Sequence, residues 1–127
     1  MKRIPEDLLP LTPLSFHILL ALAAGERHGY GLMKEIRERT GGRINPATGT
    51  VYLALQRLEE EELVGDGGLQ AQPEGGVPRR SWAITPFGRT VAAAEAQRLV
   101  GLVELAFDNH LLNAANLAAL NERTHGV

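Results

Sequence analysis

Leu14, Ile18 and Leu22 recur at one-turn spacing, and Phe16, Leu19 and Leu20 widen that apolar face, which predicts a helix. Thr12-Pro13 opens it, threonine as N-cap and proline at the first helical position, where a missing N–H costs nothing. Gly25 closes it. A second helix starts near His28-Gly29-Tyr30 and carries Leu32, Met33 and Ile36 to a stop at Gly41-Gly42. A third is expected from Asn45-Pro46, again cap plus proline, with Val51, Leu55, Leu58 and Glu62 down one side. It gives out around Leu63-Val64-Gly65.

The pattern then changes. Residues 65–78 are rich in glycine and proline and read as a long loop. On either side, Leu63-Val64 and the stretch 79–85 have strand character, with Trp82 and Ile84 alternating with Ser81 and Ala83. Together they predict a hairpin with a long tip. Thr85-Pro86 repeats the helix-start signal and opens a long aliphatic helix through Val91, Leu99, Leu102, Val103, Leu105 and Phe107. A last short helix is expected over 114–122. Three helices, a two-stranded hairpin and a long helix give a mainly α fold with a small β-hairpin. This is the order of a winged helix-turn-helix with an appended dimerisation helix. The expected division is a winged-helix domain over 1–85 and a dimerisation helix with its tail over 86–127.

Composition narrows the chemistry. A chain of 127 residues buries roughly two-thirds of its unfolded surface. Cysteine is absent, which excludes disulfides, thiolate metal sites and thiol catalysis. His17, His28, His110 and His125 form no metal spacing, and no nucleophile-elbow or phosphate-loop pattern occurs. An enzyme is therefore not expected, nor a cofactor; His28 reads as a cap of the second helix. The apolar run 14–24 is too short and too bounded to span a bilayer, so no membrane association and a cytoplasmic location are expected. The formal net charge of -2 argues against nucleic-acid binding by bulk electrostatics. A local basic face remains compatible with it. Where the arginines lie thus decides.

Rotating by about 100° per residue from Leu55 puts Val51, Leu58 and Glu62 on the core side of the third helix. The opposite face holds Pro46, Gly49, Thr50, Leu53, Gln56 and Arg57. Its first half is small and uncharged, which suits entry into a major groove. Gln56 can bond adenine twice, Arg57 can reach guanine or phosphate, and Thr50 or Leu53 can meet a thymine methyl. The helix N-terminus offers N–H groups to a phosphate, and Gly49 permits close approach. Arg79-Arg80, where the loop returns to the strand, suit phosphate or minor-groove contact. Arg43 and Lys34 could add phosphate contacts. Glu59 to Glu62 reads as a solvated charge run at the far end of the helix, away from DNA.

Three segments carry a family resemblance. His28-Gly29-Tyr30-Gly31 followed by Lys34-Glu35-Ile36 resembles the second-helix segment of PadR-like regulators. The run 49–59, GTVYLALQRLE, is similar to their third-helix signature, and 78–89, PRRSWAITPFGR, to the passage from wing into long helix. The order is unbroken from about Leu14 to Arg89. The resemblance implies a homodimer through C-terminal helices, binding of double-stranded DNA by third helix and wing, and usually repression. In some members it implies relief by a small-molecule effector. It also implies proline where Leu53 stands, glycine where Glu62 stands and an aromatic where Ser81 stands. The proline directly before the signature glycine is absent too. The short C-terminal part resembles the smaller subtype. The candidate DNA-contact set is Tyr30, Lys34, Arg43, Thr48, Gly49, Thr50, Tyr52, Leu53, Gln56, Arg57, Arg79 and Arg80.

The fourth helix has more apolar surface than one winged helix covers. Val91, Leu99, Leu102, Val103, Leu105 and Phe107 are therefore the expected dimer contacts, with the apolar segment 4–11 able to pack there too. Only Phe87 and Phe107 offer rings there to a flat effector. A winged helix used solely for protein–protein contact is the alternative, favoured by the acidic run and the negative charge.

Overall fold

Thr12 and Pro13 act as their chemistry dictates. The computed structural model, which describes residues 3–70, 75–116 and 118–119, starts α1 (Pro13–Ala24) there, and Thr12 Oγ1 accepts the Ser15 N–H at 3.1 Å. Ile18, Leu19, Ala21 and Leu22 are buried on several sides of this helix, because the next two helices and the last strand all pack on it. Strand β1 (Arg27–His28) follows, and then α2 (Gly29–Arg39). His28 is the N-cap of α2, its Nδ1 accepting the Gly31 N–H at 3.0 Å. His17 keeps a solvent-inaccessible Nδ1 with no hydrogen-bond partner among the described residues, and burial, then the Arg39 guanidinium, lower its pKa.

The third helix, α3 (Thr48–Glu60), starts later than the Asn45-Pro46 signal predicts. The Thr40 hydroxyl holds the Ile44 N–H at 3.0 Å against the end of α2, and the Ile44 side chain packs on the core. The chain must then run extended to the N-cap, Ala47, at φ -69° and ψ 156°. Proline at 46 favours the same extended path in the residue before it. Val51, Leu55 and Leu58 are buried.

Strand β2 (Val64–Gln70) occupies half of the expected loop and pairs antiparallel with β3 (Arg79–Ile84). Glycine-rich sequence reads poorly as strand; here the ladder to β3 overrides that preference. The register steps between Asp66 and Gly68, making Gly67 the extra residue of a bulge. A Cβ on Gly67 would lie 2.6 Å from Ser81 Oγ, so the glycine is a requirement of close approach. Ser81 is wholly buried and donates to the Gly68 carbonyl at 2.9 Å, so the small side chain and the bulge belong together. Arg27 and His28 pair with Trp82 and Ser81, giving a three-stranded sheet in the order β1-β3-β2 among the described residues. The sequence suggested two strands; a two-residue strand leaves no periodicity to read.

Helix α4 (Pro86–Asp108) opens on Thr85, whose Oγ1 accepts the Gly88 N–H at 2.9 Å and donates to the Glu62 carbonyl at 2.6 Å. The chain divides into two compact units, Met1–Glu95 and Ala96–Val127. The first includes the start of α4, where Gly88, Val91 and Glu95 are buried. Val91 is fully buried in the core of its own chain. That corrects its assignment to a dimer seam, since no surface remains for a partner. The segment before α1 is also claimed by the first unit. Leu8, Leu9 and Leu11 pack on the core, and the Leu11 N–H donates to Glu95 Oε2 at 3.2 Å. In the second unit, Val100, Leu102, Val103, Leu105 and Phe107 are exposed and Leu99 is half-buried. Of the helix expected over 114–122, residues 114–116 and 118–119 are described and helical, and the rest lie outside the described residues. No described helix is long and apolar enough to cross a membrane.

Three helices end alike, and the difference between them is testable. At the end of α3 the Leu63 N–H reaches Leu58 O at 2.9 Å and the Glu62 N–H reaches Glu59 O at 2.9 Å. This is a Schellman end, which needs a left-handed residue at Glu62, φ 64°. Gly41 fills the same role after α2 at φ 62°, and His110 after α4 at φ 64°. Only glycine adopts this conformation without a Cβ penalty. Glu62→Gly should therefore stabilise the protein by about 0.5–1 kcal/mol, the left-handed penalty less the entropy of glycine. Gly88→Ala should do the reverse, costing about 1–3 kcal/mol or more, because its Cβ would collide with the Leu63 carbonyl oxygen. Urea unfolding of both variants checks this pair.

Candidate nucleic-acid interface

Helix α3 turns Thr48, Gly49, Thr50, Leu53, Gln56 and Arg57 outward, with Leu53 68% exposed. The face follows from burial of Val51, Leu55 and Leu58 on the other side. Ala47 contributes no side-chain acceptor, so the first N–H groups of α3 are left without a cap. The Thr48 hydroxyl donates to Met33 Sδ at 3.3 Å, linking α3 back to α2. A Cβ built on Gly49 meets no atom within 4 Å. Nothing among the described residues demands a glycine there.

Strand β3 brings the wing arginines beside this helix. Arg79 stands 5.8 Å from the ring centroid of Tyr30, which is half-exposed at the start of α2. Arg80 lies 4.2 Å above the Trp82 ring and pairs with Glu59 at 3.2 Å and Asp66 at 3.9 Å. Tyr30, Tyr52, Arg79, Arg80 and His28 line one cleft of about 320 Å³. Lys34, Arg43, Gln56 and Arg57 are exposed and make no side-chain hydrogen bond or ion pair among the described residues.

Two acidic participants were missed. Glu59 is not part of a purely solvated run; it reaches across to the wing. No spacing rule links residues 21 apart, and only the paired strands bring them together. Asp66 sat in what read as loop. The stack of Arg80 on Trp82 was legible in principle, because residues two apart in a strand share a face.

The fold and this surface define a winged helix-turn-helix, with α2 and α3 as the paired helices and β2–β3 as the wing. A family model, the transcriptional regulator PadR-like family, matches residues 18–94. The chain belongs to that family. A PadR-like transcriptional regulator from Bacillus cereus is 25% identical, with a TM-score of 0.64 over 79% of this chain and 92% of that one. A PadR family regulator from Clostridium difficile is 24% identical, with a TM-score of 0.66 over 80% of this chain and 100% of that one. PadR of Bacillus subtilis, solved in complex with operator DNA, is 20% identical, with a TM-score of 0.56 over 65% of this chain and 47% of that one. A 37.1 kDa protein of a Streptomyces fradiae transposon is 35% identical over 92 residues, 72% of this chain. The chain spans 24% of that relative's length.

Tyr52 owes its place to Gly29. A Cβ at Gly29 would lie 2.6 Å from Tyr52 Cζ and 2.8 Å from its hydroxyl oxygen. Gly29→Ala should displace the ring and cost about 1–3 kcal/mol. In a Tyr52→Ala background that penalty should vanish, which urea titration of the double-mutant cycle would show; a penalty that persists would place the strain in the backbone.

Proposed function

We propose that the protein is a sequence-specific DNA-binding transcriptional regulator, acting as a homodimer on an inverted-repeat operator and repressing transcription. One observation carries the reading: the outward face of α3 is uncharged at its start, then carries Gln56 and Arg57, and lies beside the Arg79 wing. Gly49, open on its outer side, supports close approach by a surface from outside the chain. Membership of a family of transcriptional regulators adds to this, as does the fold shared with a regulator solved on its operator. In this reading Thr50, Leu53 and Gln56 meet base edges, while Arg43, Lys34 and the N–H groups starting α3 hold phosphates. The dimer forms through Leu99, Leu102, Val103, Leu105 and Phe107, apolar side chains for which the chain provides little cover.

Titrating salt against binding to duplex DNA tests the core of the reading, because displaced counterions make phosphate binding fall steeply as salt rises. Gln56→Ala should weaken binding to the selected operator by about 1–3 kcal/mol and change binding to random DNA little. Discrimination that survives the substitution would move base readout elsewhere. The operator selected from a random pool should be an inverted repeat with half-site centres about 34–36 Å apart, or a multiple of that. Leu102→Asp should convert a sedimenting dimer to monomer. A wild type that sediments as monomer at micromolar concentration would end the dimer proposal.

A further inference from the structure

The two wing arginines are neighbours in sequence and line one cleft, but their partners differ. Strand alternation sends their side chains to opposite faces of β3. Arg80 falls on the Trp82 face, its guanidinium 4.2 Å from the ring. From there Nη2 reaches Glu59 Oε2 on α3 at 3.2 Å, and Nε lies 3.9 Å from Asp66 Oδ1 on β2. Asp66 is itself held, accepting the Gly68 N–H at 2.8 Å across the bulge. Arg79 has no ion pair among the described residues, and its guanidinium lies 5.8 Å from the Tyr30 ring centroid.

We propose that Arg80 is a positioning residue that braces the wing to α3 through Glu59 and Asp66, leaving Arg79 as the wing's phosphate ligand. To take a phosphate, Arg80 would have to give up two carboxylates and a stacked indole. The arriving anion would then face both carboxylates at close range. Arg79 carries no such obligation, and the cleft it shares with Arg80 also presents Tyr30 and Tyr52, side chains of a type that bonds phosphate oxygens. The brace is half-exposed, 50% at Arg80 and 43% at Glu59, so it adds little to global stability and acts on orientation instead. Its ends lie on the two elements that must meet the duplex together. The Arg79 half of this inference rests on the DNA-binding reading; the brace does not.

Two measurements on the full chain separate them. Without DNA, amide hydrogen exchange across the β2–β3 ladder should speed up several-fold in Arg80→Gln and in Glu59→Gln. The double variant should be no faster than Arg80→Gln alone. Additive effects, or unchanged exchange in Arg80→Gln, would overturn the brace. With duplex DNA, Arg79→Gln should lower the slope of log affinity against log salt by about one. Arg80→Gln should weaken binding by a similar factor at every salt concentration and keep the slope. Slopes that fall equally in both variants would overturn the division of roles. A wild type without salt-dependent binding would remove the DNA reading and the Arg79 assignment with it, while exchange still decides the brace.

Discussion

The backbone of Leu63 serves three elements at once. Its N–H closes the end of α3 on Leu58 O, and its carbonyl accepts the Thr85 N–H at 3.1 Å. The same carbonyl lies so close to Gly88 that no side chain fits between them. Thr85 tightens the junction by donating to Glu62 O while capping α4. Wing strands β2 and β3 leave and return between these points. The point where the wing leaves and rejoins the helices is therefore fixed at its root by hydrogen bonds within a few residues, and the Arg80 pair acts further out.

Around that root the two sides of α3 are put to different uses. The buried side joins Val51, Leu55 and Leu58 to Ile18, Leu22, Leu32 and Ile36. Backbone groups at the helix ends are handled by neighbours: Arg3 donates to Glu61 O at 2.8 Å, and Arg89 to Ala23 O at 3.2 Å. Cationic side chains at helix C-termini also oppose the negative end of the dipole. The N-terminus of α3 has no such partner from a capping side chain. An uncapped start on an otherwise well-capped domain is consistent with a surface whose partner comes from outside the chain.

Much of this was legible in the sequence because it is local. Thr12-Pro13 and Thr85-Pro86 start helices through a bond reaching three residues, and Leu14 to Leu22 or Val51 to Leu58 report burial by spacing alone. Asn45-Pro46 carried the same signal and misled, since the bond from Thr40 to Ile44 fixes the approach and that bond depends on the turn after α2. Strand β1 is too short to have a pattern, and β2 is held by its neighbour rather than by its own glycines. Val91 shows the limit of counting aliphatic residues: the same helix is core in its first turns and surface later. The outward face of α3 could be read from rotation, whereas the pairing of Arg80 with Glu59 needed two chain segments placed in space.

The bulge at Gly67 and the stack on Trp82 together say what keeps the wing in frame. Two identical arginines in succession make the strand partly degenerate in charge: slipped by one residue in either direction, it would still offer a guanidinium at one of the two positions. Charge alone therefore cannot police the alignment. Trp82 can, because a one-residue slip would carry its ring to the face where the small, wholly buried Ser81 packs on the bulge. The exposed half of the strand thus inherits its order from the one bulky residue at its buried end, and the assignment of roles to two indistinguishable side chains is a matter of parity.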